Sequence, residues 1–311
     1  MTGKTLSTCI STLETSLSKQ INLSHCSSII ISEDIIKQKG LSNIVSTLGN
    51  SSEIRNTTYI FTCNDKASTF LKTISNTKEN FTASIYEKFL HSSYDIGYTD
   101  ICTFGKLFSS CKTPNSSILV PFINQSIDIS NNIPTYQIDG GTILKNGEYV
   151  NTLSSYETLY INILTNTLKS SSINIQSPFN LNEHIDLEVH SYKKTKYKTY
   201  IINNSPFVEI DIYPEFVIKA SGSTYNYLSN KNVELLEATL NDYLEKELNN
   251  TCNKITQEFN ADLLSLKDKF KTNYLTYDDF NKLNFDLIFK NTFYKININS
   301  YIVSSNLFNK Q

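Results

Sequence analysis

The chain has 311 residues, with 28 Lys and Arg against 30 Asp and Glu and a net charge of −2. That balance argues against a nucleic-acid binder, which carries a basic stripe. A hydrophobic share of 39%, with 19 Tyr and 17 Phe, supplies packed cores and argues against disorder. The length suggests two or three domains.

From the N-terminus, Leu6, Ile10, Leu13 and Leu17 recur every three or four residues, as in a helix with one buried face. Ile29-Ile30-Ile31 reads as a short apolar strand. Ser32 offers an N-cap, Glu33 and Asp34 suit the first helical turn, and Gly40 a stop. A second helix over 41–48, a strand over 58–62 and a helix over 65–74 follow. Ile118 to Pro121 reads as a last strand stopped by proline. Strands separated by helices point to βαβ units.

The polar stretch from Ser126 to Pro134 reads as a linker. Beyond it, Asn146-Gly147 between two β-rich segments predicts a hairpin with a type I′ turn. Ser154 and Glu157 have capping-box spacing, which predicts a helix to about Leu168. Strand signals resume at 185–191, 199–203 and 207–218, with a turn at Asn203 to Pro206. One long amphipathic helix then runs from Val233 to Phe259, with a leucine every fourth position from Leu236 to Leu248. A shorter helix over 261–270 and a terminal strand over 294–299 complete the pattern.

The expected fold class is therefore α/β and α+β in several domains: an N-terminal α/β domain (1–134), a small hairpin-helix domain (135–183), and a C-terminal α+β domain (184–311). The last would pack a largely antiparallel sheet on the long helix. No apolar run of about 18 residues, the length of a membrane-spanning helix, is present. Residues 1–9 lack the apolar region of a signal peptide.

Chemistry-bearing residue types are few. Gly3-Lys4-Thr5 resembles the tail of a phosphate-binding loop without its first glycine and preceding strand. His184, Asp186, Glu188 and His190 alternate along a strand and share one face, with types that suit a transition metal. Alternate side chains in a strand lie about 6.5–7 Å apart, however, so four cannot reach one ion without distortion. His25 beside Cys26 suggests a nucleophile pair, but neighbours in an extended segment point opposite ways. Asp278-Asp279 sits in a polar turn-like stretch, and the basic run Lys193 to Lys198 in a strand-like segment. The six cysteines are scattered, with no C-x-x-C pair, and read as mostly buried free thiols. No catalytic, cofactor-binding or metal-ligating residue is assigned, and no cofactor is expected.

Several segments, in order, resemble one family. These are Gly3-Lys4-Thr5, Ile29 to Asp34, Ser52-Glu53-Ile54-Arg55, Thr58 to Phe61, and Asp65-Lys66-Ala67. Gly141 to Lys145 with Val150, Leu153, Glu157 and Thr158 follow, and then Asn260-Ala261-Asp262-Leu263. The chain resembles the Ger(x)C proteins, the C subunits of bacterial spore germinant receptors. It departs from their pattern in lacking tryptophan, with Asn151-Thr152 where Gly-Trp is usual, and in starting at the Gly-Lys-Thr point. The resemblance implies a non-enzymatic lipoprotein on the outer face of the spore's inner membrane. It also implies a role in nutrient-triggered germination, scaffolding the membrane A and B subunits. Two other readings follow from the residues: a metal-dependent enzyme using the His184/His190 strand, and a generic cell-surface binding lipoprotein.

Overall fold

In a computed structural model, the residues described are 6–17, 20–50, 53–75, 96–128, 133–221, 227 and 229–303. They form two compact units, one from Met1–Phe89 and Thr99–Leu153, the other from Leu90–Tyr98 and Ser154–Gln311. This division follows a different line from the three expected segments. The hairpin of the expected middle segment belongs to the first unit, and its helix to the second.

The first unit is a five-stranded sheet in the order β1-β2-β3-β4-β5: β1 (Ser28–Ser32), β2 (Tyr59–Cys63), β3 (Ser117–Asp128), β4 (Ile133–Lys145) and β5 (Glu148–Leu153). The first three strands run parallel, and β4 and β5 turn back antiparallel. Successive residues face opposite sides, so β1 to β4 feed two cores. Ile60, Val120 and Leu144 pack with α2 (Glu33–Lys39), α3 (Ser42–Gly49) and α5 (Phe104–Lys112). Phe61, Ile123 and Ile138 pack with Phe70 of α4 (Ala67–Ser75). The first helix, α1 (Leu6–Glu14), leaves Leu13 at 41% exposure, so its stripe is only partly covered.

Two expectations are corrected in β3. Pro121 does not end the strand: it pairs with Gly141, and the register slips between Pro121 and Ile123. A bulge absorbs the missing N–H donor, and β2 pairs only beyond the proline. The expected linker at 126–134 is instead part of a hairpin, with Ser126 opposite Thr135 and Asp128 opposite Ile133. Residues 129–132 within it lie outside the described residues. The Asn146-Gly147 turn forms as expected, with φ of 54° and 79°.

The second unit carries β6 (Ser170–Gln176), β7 (His184–Ile202), β8 (Ser205–Ser221), β9 (Phe293–Ile298) and β10 (Tyr301–Val303). β6, β7 and β8 are antiparallel, as expected for this sheet. β9 and β10 lie parallel to β8 along its free side. A helical crossover separates them from β8, and such a connection returns the chain in the same direction. The inner face presents Ile173, Leu187, Val189, Ile210, Phe216 and Ile296, all at most 3% exposed.

The long helix α7 (Asn230–Asn253) covers that face. Leu236, Leu240, Leu244 and Leu248 are each 0% exposed, and each such burial stabilises by about 1.5–3 kcal/mol. A π-helical turn (Lys254–Glu258) continues it to Phe259. The expected helix over 261–270 is shorter, α8 (Leu266–Lys271), because Asn260 and Ser265 hold φ of 50° and 53°. α9 (Tyr277–Lys282) and α10 (Phe285–Ile288) precede β9. Between β5 and β6 lies α6 (Ser155–Thr165), closed by Asn166 in the left-handed conformation. Among the described residues, no helix is long and apolar enough to cross a membrane.

Candidate functional site

In the second unit, α6 and α7 pack side by side and leave a cleft of about 440 Å³. Sequence dictates where α6 begins. The Ser154 hydroxyl accepts the Glu157 N–H, and the Glu157 carboxylate accepts the Ser154 N–H at 2.8 Å, a complete capping box. From that start, Tyr156 and Tyr160, four residues apart, line the cleft. On α7, Tyr243 and Glu247 line it from the flank of the leucine stripe, and Lys254 from the π turn that follows.

Two polar contacts bridge the helices. The Lys254 ammonium donates to the Glu157 carboxylate. The hydroxyls of Tyr160 and Tyr243 share a hydrogen bond of 2.9 Å. Burial alone pushes the Glu157 carboxyl up, but the Lys254 ammonium and the Ser154 N–H and hydroxyl hold it below the usual carboxylate value. Burial and the shared hydrogen bond push the Tyr160 phenol far above its ordinary range, so it is neutral at pH 7. The arrangement can bind and orient, with fixed charges, hydroxyls and aromatic faces.

The strand that drew attention in the sequence behaves differently. His184, Asp186, Glu188 and His190 do share the outer face of β7, while Ile185, Leu187 and Val189 are buried. Their side chains turn to neighbouring strands and loops. Asn174 on β6 contacts His184 Nδ1 at 2.7 Å and donates to Asp186 at 2.5 Å. Glu188 pairs with Lys219 on β8 and lies 3.4 Å from His190 Nε2. The backbone carbonyl of Lys169 lies 3.4 Å from His190 Nδ1. Among the described residues, no three His, Cys, Asp or Glu side chains are grouped to hold a metal ion.

His25 is exposed, whereas the Cys26 thiol is partly buried and donates to the Ser28 carbonyl at 3.3 Å. Burial pushes that thiol up, the reverse of activation. Thr276 caps α9 by accepting the Asp279 N–H and donates its hydroxyl to the Asp279 carboxylate, which pairs with Lys282 at 2.7 Å. In the basic run, Lys198 lies 3.6 Å from Glu209, and Lys193 sits 5.0 Å over the Tyr192 ring. Gly3-Lys4-Thr5 lies outside the described residues.

Among the described residues, several that carried the family resemblance serve structure. Glu53 accepts the Leu23 N–H at 2.8 Å, and Ile54 is buried. A Cβ on Gly141 would sit 2.7 Å from the Leu119 side chain. Thr142 donates to the buried Glu33 carboxylate at 3.2 Å, and Thr152 at 3.0 Å. Asp262 accepts the Leu266 and Lys267 N–H groups and so starts α8. Sequence reasoning missed the α6–α7 cleft. The signal was the spacing of Tyr156 with Tyr160 and of Tyr243 with Glu247, each pair four apart beside an apolar stripe.

A family model described as spore germination protein N-terminal domain matches residues 1–125. A second, described as spore germination B3/GerAC like, C-terminal, matches residues 139–306. A Bacillus cereus relative, spore germination protein GerQC, is 23% identical over 219 residues, covering 70% of this chain and 58% of the relative. The chain thus spans less than two thirds of that relative's length. A crystal structure of the GerBC protein shares the fold, with a TM-score of 0.69 at 20% identity over 90% of this chain and 79% of that one.

Proposed function

Because the chain belongs to the spore germination B3/GerAC-like family, we propose that it acts in nutrient-triggered spore germination as the C subunit of a germinant receptor. In this reading it catalyses no reaction and holds neither metal nor cofactor. It scaffolds two membrane-embedded partners, the A and B subunits, on the outer face of the spore's inner membrane, where a lipid anchor keeps it.

The observation that carries the reading is collinearity. The two family models occupy 1–125 and 139–306 in order, across nearly the whole chain. The side chains offer support of another kind. Glu188 and His190 are engaged with Lys219 and each other, and the Cys26 thiol is held protonated by burial. Among the described residues that mark the family, Asp262 caps a helix and Gly141 packs tightly against Leu119.

The test is recovery of the assembly. An affinity-tagged chain, extracted from spore membranes in mild detergent, should bring down the A and B subunits in fixed proportion. Recovery of the chain alone, while A and B remain associated with each other, would overturn the scaffold reading.

A further inference from the structure

We infer that the cleft between α6 and α7 binds an organic ammonium group, with the Glu247 carboxylate as its counter-charge and the rings of Tyr156, Tyr160 and Tyr243 as its walls. Glu157 and Lys254 neutralise each other within the cleft. Glu247 is half-buried on the same lining, and its carboxylate has no hydrogen-bond or ion-pair partner among the described residues. The two carboxylates and one ammonium therefore leave one negative charge facing the cavity. A carboxylate on the lining without a partner leaves its oxygens open to a cationic guest.

The walls select the kind of cation. Tyrosine faces attract ammonium groups, more strongly where water is displaced. Tyr156 is 47% exposed at the mouth, whereas Tyr160 is 3% exposed at the base. The Tyr160–Tyr243 hydrogen bond locks both rings in place, so little ordering remains to be done on binding. An ammonium has three donors, and acceptors are at hand in Glu247, in the phenol oxygens and in the Asn250 amide at the rim. A cavity of about 440 Å³ accommodates a small amine or one lysine side chain. A bare metal ion is a poorer guest, since only one uncommitted carboxylate faces the space. This inference is independent of receptor assembly.

The test uses the full chain with ¹³C-labelled tyrosine rings, followed by NMR during titration with n-butylammonium. Saturable shifts are expected at Tyr156, Tyr160 and Tyr243, assigned by single Tyr→Phe variants, and none with n-butanol. Glu247→Gln, which keeps size and shape, should weaken binding about tenfold. Tyr156→Ala, at an exposed position, should weaken it as well, with the dispersion of the other tyrosine signals reporting an intact fold. An equal response to n-butanol, no response to n-butylammonium, or unchanged affinity in both variants overturns the inference. A short peptide with one central lysine separates the sources. Tighter binding than n-butylammonium assigns the site to a lysine of a protein partner, and weaker binding assigns it to a free small amine.

Discussion

The Glu157 carboxylate receives the Lys254 ammonium across 97 residues of chain, joining the first turn of α6 to the π turn that continues α7. The same carboxylate accepts the Ser154 N–H that α6 needs capped. One side chain therefore closes a local signal and a long-range contact. Its folded-state pKa lies below the ordinary value, so its contribution to stability is present above the unfolded pKa, about 4.3, and is lost as pH falls through the folded value. Glu157→Gln, which can still cap, should lower stability by roughly 1 kcal/mol at pH 7, with partial exposure keeping the figure small. Urea unfolding across pH should show the gap closing below about pH 4. A gap of the same size at pH 3 would rule out the ion pair as its cause.

Leu240 and Leu244 are fully buried beneath α7. Leu240→Ala and Leu244→Ala should each cost roughly 2–5 kcal/mol, according to how far the site collapses. Thermal unfolding followed by circular dichroism measures this directly. An unchanged transition in both variants would mean that the stripe does not carry the core of the second unit.

Gly147 holds φ at +79°, and a Cβ there would sit 2.9 Å from the Cys111 sulfur and 3.1 Å from the Ser42 hydroxyl. Gly147→Ala should destabilise the first unit by about 1–2 kcal/mol through backbone strain, with crowding in addition. Asn146→Asp, which suits the same turn and keeps an acceptor for the Asn115 N–H, should be tolerated. Paired unfolding curves distinguish the two, and equal tolerance of both would refute the turn assignment.

The thiols divide by burial. Burial, with the charge of Asp65 beside it, pushes Cys63 up to about 11, and burial pushes Cys102 and Cys252 higher still. Cys9, Cys26 and Cys111 are partly exposed. A thiol reagent at pH 8 should therefore modify at most these three in the native chain and all six in denaturant. Rapid native modification of Cys102 or Cys252 would contradict their placement in the core.

Sequence showed what local chemistry decides. The Asn146-Gly147 turn, the Ser154–Glu157 capping box and the leucine stripe of α7 depend on residues near one another in the chain, and all three formed where their patterns placed them. What escaped was set by distant partners. β6, Ser-rich and weak in strand propensity, is a strand because β7 pairs along its whole length. Pro121 sits inside β3 because a bulge removes the need for its N–H. The parallel pairing of β9 and β10 with β8 depends on a helical crossover between them. The cleft escaped because Glu157 and Lys254, and Tyr160 and Tyr243, meet only once α6 lies against α7. The alternating polar face of β7 was legible, but not that Asn174 and Lys219 engage it.

The central claim, a non-catalytic receptor subunit, is tested most directly by comparing a deletion with a point variant in spores. Deleting the gene should abolish germination in response to one set of nutrients and leave responses through other receptors intact. His184→Ala with His190→Ala, at equal protein abundance, should germinate almost normally with those same nutrients. Normal germination of the deletion with every nutrient, or a point variant as deficient as the deletion, would contradict the account.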